Sequence, residues 1–262
     1  MMKIALNGTR FAYDDQGQGV PVVLLHGFPF SRRMWAAQGG PLARACRLIT
    51  PDLRGCGESE GIPESVEQLA ADVHALVEGL KLSSFVLAGF SMGGYVAFRY
   101  LAAHAGRVRA LMLLDTRPEA DTPEARQRRY TGIERIEREG PSGFLDDFAK
   151  LLVSPRTAET RPEVATEVRR LMEGTKVESL IGGLRAMAER PESTPLLSSI
   201  TVPTLVVVGE DDKATPVESS RKMAATIPGA ELVIIPGAGH VTNFEQPDAF
   251  NQAVVAFLRR LR

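Results

Sequence analysis

The stretch FVLAGFSMGGYVAFRYLAAH, residues 85–104, changes its hydrophobic period partway along. Phe85 to Phe90 are almost continuously apolar, as a strand buried on both faces would be. From Met92 onward the apolar positions follow a helical repeat. One serine, Ser91, stands at the join, with Gly89 before it and Gly93 and Gly94 after it. A chain that leaves a buried strand and enters a helix within a few residues must stack helices against a sheet, which restricts it to layered α/β architectures.

The flanking segments agree. KIALNG and RFAYDD read as two strands joined through Asn7-Gly8, a strong hairpin signal. PVVLLHG and RLITPD read as buried strands, and between them SRRMWAAQGGPLARAC reads as helix interrupted at Gly39, Gly40 and Pro41. In ESVEQLAADVHALVEGLKL the residues Val66, Leu69, Ala70, Val73, Leu76, Val77 and Leu80 fall on one helical face. VRALMLLD is a further strand. After Asp115 the alternation stops. Four helices are expected in TPEARQRRYTGIERIEREG, PSGFLDDFAKLLV, RPEVATEVRRLMEG and VESLIGGLRAMAER. Strands return in TVPTLVVVGE and AELVIIP, with helices in PVESSRKMAATI and QPDAFNQAVVAFLRRL. The expected division is an α/β core of residues 1–116 and 198–262 and a helical cap of residues 117–197, inserted where ligand sites of open α/β sheets lie.

Composition narrows the function. The 262 residues carry a formal charge of −1, which argues against nucleic acid as the main partner, since phosphate binding needs a basic face. Only Cys46 and Cys56 are present, and their spacing fits no disulfide framework or metal motif. They are expected to be reduced thiols in a cytoplasmic protein. The N-terminal residues MMKIALNGTRFAYDDQGQG show no signal-peptide pattern, and no run approaches the roughly 18 apolar residues of a membrane span.

A serine hydroxyl is a weak nucleophile unless a base removes its proton during attack. Held at a sharp strand-to-helix turn, Ser91 would project toward substrate and base, and Gly89 and Gly93 would remove side chains that collide at that bend. The N–H groups at the start of the following helix would face an incoming oxyanion. The alternative is a plain helix-capping serine. Of four histidines, His74 and His104 lie on helices directed away from strand ends, His26 ends a strand, and His240 lies in the glycine-rich loop IIPGAGHVTNFEQP. Acids stand in GEDDKATP, where Asp211 and Asp212 could equally cap the helix starting near Pro216, and at Asp115.

The motifs HGFP (26–29), PDLRGCGES (51–59), GFSMGG (89–94), GEDDKATP (209–216) and GAGHVTNFEQP (237–247), in this order, resemble the α/β-hydrolase fold family, serine-nucleophile branch, over nearly the whole chain. The resemblance implies a mostly parallel eight-stranded sheet flanked by helices with an inserted helical cap. It implies Ser91 as nucleophile, His240 as general base and acid, and Asp212 as orienting acid, with Asp115 the alternative acid position. The backbone N–H groups of Phe28 and Met92 would form the oxyanion hole. His26, Asp52 and Arg54 would brace loops. No cofactor and no metal is implied.

Pro29, Phe30 and Trp35 suggest an apolar substrate pocket. Similar motifs occur in carboxylesterases, enol-lactonases and cofactor-free perhydrolases, all acting on acyl groups. A small carboxylic ester is the expected substrate, with lactone hydrolysis or perhydrolysis as alternatives. A lactonase for an acidic substrate needs a pocket cation, but RQRRYTGIERIERE carries both signs at helical spacing and reads as a solvated face. The reading from a different class is a non-catalytic homologue that keeps the site as a ligand pocket. Oligomeric state is not legible.

Overall fold

A computed structural model of the chain describes residues 1–261. Strands β1 (Met2–Leu6) and β2 (Thr9–Gln16) pair antiparallel, and Asn7 and Gly8 close the hairpin with φ of 48° and 69°. Both values lie in the left-handed region that a tight two-residue hairpin turn requires. Next come β3 (Pro21–Leu25), α1 (Ala36–Ala43), β4 (Arg47–Pro51), α2 (Val66–Gly79), β5 (Phe85–Phe90), α3 (Met92–His104) and β6 (Val108–Leu114). Five helices follow without a strand: α4 (Pro123–Glu139), α5 (Ser142–Leu152), α6 (Pro155–Thr160), α7 (Pro162–Met172) and α8 (Val177–Ala188). The chain then returns to the sheet with β7 (Thr204–Gly209), α9 (Val217–Thr226), β8 (Glu231–Ile235), α10 (Thr242–Glu245) and α11 (Pro247–Arg260).

The eight strands form one sheet in the order β1-β2-β4-β3-β5-β6-β7-β8. The pairs β1–β2 and β2–β4 are antiparallel, and every pair from β4 to β8 is parallel. All six residues of β5 and of β7 are buried, which explains their unbroken apolar character: parallel strands are covered by helices on both faces. Helix α2 begins at Ser65, whose side chain accepts from the Gln68 N–H, and buries Val66, Leu69, Ala70, Val73, Leu76 and Val77. Truncating Leu69 or Leu76 to alanine costs about 2–5 kcal/mol.

Two local expectations are corrected. Gly39, Gly40 and Pro41 lie inside α1 and do not interrupt it. The inserted segment holds one more helix than its pattern suggests: α6 starts at Ser154-Pro155, where the serine side chain accepts from the Thr157 N–H and proline occupies the first turn. His74 and His104, on α2 and α3, stack on each other at 3.7 Å. Cys46 and Cys56 are buried and unpaired. Burial pushes their thiols up to about 11 and about 12, so neither is a thiolate near neutral pH. Among the described residues no helix is long and apolar enough to cross a membrane.

Candidate active site

Register aligns the elements of the site. Leu25 of β3 pairs with Gly89 of β5, Phe90 with Leu114 of β6, and Leu114 with Val207 of β7. The loops after these strands therefore emerge at one edge, which brings together Phe28, Ser91, Asp115 and Asp212 from distant parts of the sequence.

Ser91 is the hinge between β5 and α3, with φ 52° and ψ −115°. A non-glycine residue there is strained and must be held by its surroundings. Its N–H donates to the Leu114 carbonyl (2.9 Å), and its own carbonyl accepts from the Thr116 hydroxyl (2.8 Å). The side chain makes no capping bond to α3, so the plain capping role is not what this serine performs. The flanking glycines are sterically required. A Cβ on Gly89 would lie 2.3 Å from the Gly93 carbonyl oxygen, and one on Gly93 would lie 2.7 Å from the Leu25 carbonyl oxygen.

Ser91 Oγ stands 2.9 Å from His240 Nε2, and His240 Nδ1 stands 2.8 Å from Asp212 Oδ2. With its proton on Nδ1, the imidazole donates to the carboxylate and accepts from the serine hydroxyl. Asp212 is saturated: Oδ1 accepts from the N–H groups of Ala214 and Thr215 (2.8 Å each), and Oδ2 also accepts from the Thr215 hydroxyl (2.5 Å). These bonds brace the loop that precedes α9, whose N-terminus receives no side-chain cap, so helix capping is not what Asp212 performs. Asp211 is exposed on the flank. Burial would push the Asp212 carboxyl up, but the facing His240 and the hydrogen bonds from His240 and Thr215 outweigh it and hold the carboxyl below its ordinary value. His240 and Asp212 are buried while Ser91 is partly accessible, so the hydroxyl is the member that substrate can reach. The Phe90 ring lies 5.2 Å from the His240 ring and shields it.

Asp115 does not touch the imidazole. Its Oδ1 accepts from the N–H of Gly209 at the end of β7 (3.0 Å) and its Oδ2 from the hydroxyl of Thr242 at the start of α10 (2.5 Å). Complete burial, then the nearby Asp212 charge, raise its carboxyl well above the usual range. Two neighbouring carboxyls are thus driven in opposite directions, and the one facing the histidine is the one kept ionised.

Met92 opens α3, where first-turn N–H groups have no intrahelical acceptor. Phe28 lies three residues past Leu25, as Met92 lies three past its register partner Gly89. Both residues thus follow adjacent, paired strands at the same offset in sequence. His26 is fully buried; its Nδ1 donates to the Gly27 carbonyl and its Nε2 accepts from the Leu53 N–H, each at 2.9 Å. Asp52 accepts from the N–H groups of Arg32 (2.7 Å) and Glu58 (2.8 Å), and Arg54 grips Asp72 through two bonds of 2.6 and 2.7 Å. These three residues hold the loops that flank the site.

A cavity of about 530 Å³ opens over Ser91 and His240. Its apolar wall is Phe28 from the core with Phe144, Phe148, Leu184 and Met187 from α5 and α8. The Phe28 and Phe148 rings meet edge to face at 5.6 Å. The expected wall of Pro29, Phe30 and Trp35 is corrected, because none of the three lines this cavity. Phe30 packs against Phe244, and Trp35 packs against Phe90 and Phe250, beneath the serine turn. Apart from Phe28, the apolar wall comes from the inserted helices. The reading of RQRRYTGIERIERE as solvated face is also corrected in part: Arg128 and Arg129 of α4 line the cavity.

The pattern did not expose Glu245. It is fully buried, and its carboxylate accepts from the N–H groups of Gly239 (2.7 Å) and Ser154 (2.9 Å), tying the loop of His240 to the inserted helices. It stands in VTNFEQP, where polar and apolar residues are mixed, so residue type gave no sign of its burial. Among the described residues no group of three or more His, Cys, Asp or Glu side chains is placed to hold a metal ion.

A strained serine on a strand-to-helix turn, hydrogen-bonded to a histidine from the loop after the last strand, is the arrangement that α/β hydrolases share. The chain belongs to the α/β hydrolase fold family, whose model matches residues 20–247, and it is a hydrolase. It is similar to a thermophilic esterase from Thermogutta terrifontis, 40% identical over 99% of this chain and 98% of that one, with a TM-score of 0.94. The enol-lactonase from Burkholderia xenovorans LB400 is 30% identical over 98% of this chain and 100% of that one, with a TM-score of 0.90. A non-heme haloperoxidase of Rhodococcus erythropolis is 31% identical, with 97% of each chain covered.

Proposed function

We propose that this hydrolase cleaves a small carboxylic ester through an acyl-enzyme formed on Ser91. The observation that carries the reading is the continuous hydrogen-bonded chain from Ser91 Oγ through His240 to Asp212 at 2.9 and 2.8 Å. As Ser91 Oγ bonds to the ester carbonyl carbon, its proton passes to His240 Nε2. The imidazolium that forms is stabilised by the ionised Asp212, which keeps its place without taking the proton. The oxyanion would be met by the amides of Phe28 and Met92, each such donor worth roughly 3–4 kcal/mol in the transition state. When the tetrahedral adduct collapses, the carbon–oxygen bond to the alcohol breaks and His240 returns the proton to the departing alkoxide. Water then attacks the acyl group with His240 as base, and the carboxylic acid leaves with Ser91 restored.

Lactone hydrolysis follows the same steps with the alcohol tethered to the acyl group, and the likeness to an enol-lactonase supports it as the second reading. Perhydrolysis would replace water by hydrogen peroxide at the acyl-enzyme, a reading supported by the haloperoxidase relative.

The test is intact mass after exposure to a small serine-directed phosphonate, with Ser91→Ala in parallel. One adduct on the wild type and none on the variant is the expected result. A folded wild type that takes no adduct and turns over no ester overturns the reading in favour of a ligand-binding pocket.

A further inference from the structure

Four cationic side chains, Arg117, Arg128, Arg129 and Lys213, line the cavity over Ser91, and among the described residues no aspartate or glutamate does. An apolar ester needs no such lining. The carboxylates nearby are already committed. Asp121, whose side chain is fully buried, is shared by three guanidinium groups: Arg117 at 2.8 Å, Arg190 at 2.7 Å, and Arg129. One negative charge against three positive ones leaves this wall positive. Arg190 spends part of its charge on the Tyr95 ring, lying 4.2 Å above its centre, and on the carbonyls of Met187 and Glu119 (2.7 Å each). Glu119 itself accepts from the Ser219 hydroxyl, and Glu189 is held by Arg126 and Tyr130. Asp212 faces His240.

Arg128 and Lys213 are exposed, and neither forms an ion pair among the described residues. Arg128 feels Glu124, one turn earlier on α4, without a bond to it. Arg128 comes from α4, Arg117 from the segment after β6, and Lys213 from the loop after β7, where it follows Asp212. A positive lining of this kind focuses field into a low-dielectric cleft and attracts an anionic substrate.

We propose, on the premise that Ser91 is the nucleophile, that the substrate is an ester or lactone carrying a second, ionised carboxylate. Its carboxylate is held by the arginine wall while the apolar chain between the two groups lies on Phe28, Phe148 and Leu184. A guanidinium can meet a carboxylate with two parallel N–H donors, so Arg117 would fix the distance from the charge to the reacting carbonyl. Arg129, its fork turned to Asp121, adds positive charge to the wall. Arg128 and Lys213, unpaired at the rim, would draw the anion in.

The experiment compares 4-nitrophenyl hydrogen glutarate, which bears a free carboxylate, with its neutral methyl ester, 4-nitrophenyl methyl glutarate. The expected result is a kcat/KM about tenfold or more higher for the acid at low salt, a preference that shrinks as ionic strength rises. The double variant Arg128→Gln/Lys213→Gln, at exposed positions without ion pairs, is expected to reduce that ratio several-fold. Equal rates for the two esters, or a faster neutral ester, with Ser91 still labelled by the phosphonate, would overturn the anionic substrate and leave the hydrolase standing. A wild type in which Ser91 takes no label and neither ester is cleaved would bring down the hydrolase reading itself. A preference that survives the double variant and high salt would also overturn the proposal, since shape would then be its cause.

Discussion

The backbone N–H of His240 donates to the carbonyl of Leu152 at 2.8 Å. His240 belongs to the loop after β8, and Leu152 is the last residue of α5 in the inserted segment. The imidazole that faces Ser91 is therefore placed partly by the helices that roof the cavity. Glu245 strengthens the same joint by accepting from Gly239 and Ser154 together.

Loss of that joint is expected to slow chemistry more than binding. Glu245→Ala leaves two buried N–H groups without a partner and should lower kcat about tenfold or more, with KM little changed. Glu245→Gln keeps one amide oxygen as acceptor and should recover part of the rate. Steady-state kinetics on a chromogenic ester, beside thermal unfolding of both variants, separates misplacement of His240 from general destabilisation.

Ser91→Ala should remove hydrolysis by several orders of magnitude, because the three groups act as a unit. Ester turnover near the wild-type rate in the purified, folded variant would contradict the nucleophile assignment.

The two buried aspartates should respond differently to amidation. Asp212→Asn loses the ion that orients and stabilises the imidazolium, and kcat should fall by about 10⁴. Asp115→Asn can still accept from Gly209 and donate to the Thr242 hydroxyl, so activity within about tenfold of wild type is expected. A greater loss at Asp115 than at Asp212 would transfer the acid role to Asp115.

The same pair sets opposite pH dependences on stability. The Asp212 carboxyl is depressed in the folded state, so its contribution is complete above the ordinary carboxylate range and is lost as pH falls below about 4. The Asp115 carboxyl is raised, so the native state keeps a proton that the unfolded chain releases, and stability falls as pH climbs from about 4 toward the raised value. Melting curves across that range should show Asp115→Asn gaining on the wild type as pH rises. A constant difference between the two would contradict the raised Asp115 carboxyl.

Gly89→Ala places a methyl 2.3 Å from a backbone oxygen that cannot swing aside. Overpacking of this kind costs about 1–3 kcal/mol. The melting temperature should drop by several degrees, at about 2–4 °C per kcal/mol for a chain of this size. Gly106→Ala, where nothing lies within 4 Å, is the matched control.

Local sequence determined much of this protein. The strands were legible because parallel strands covered on both faces must be apolar throughout, and α2 because a helix with one buried face repeats at its own period. The serine turn was legible because only glycine fits beside it, so a steric demand on the backbone is written directly as residue type at Gly89 and Gly93. Helix α6 was missed because a helix of one or two turns has too few residues to display a period, leaving Ser154-Pro155 as its sole sign.

What tertiary structure alone decided is which side chains share a space. Trp35 and Phe30 look like pocket residues in the chain, yet Trp35 packs under the serine turn against Phe90 and Phe30 packs against Phe244, because an aromatic residue reads the same whether it faces a core or a cavity. Arg128 and Arg129 look like members of a solvated helical face, yet the fold of α4 over the sheet edge turns them toward Ser91. The motif resemblance favours Asp212 over Asp115, but residue pattern alone leaves both open, and it is the fold that brings His240, distant in sequence, 2.8 Å from Asp212. Periodicity and steric demand act between near neighbours and leave their mark in order along the chain; contacts between remote segments depend on packing, which no local pattern encodes.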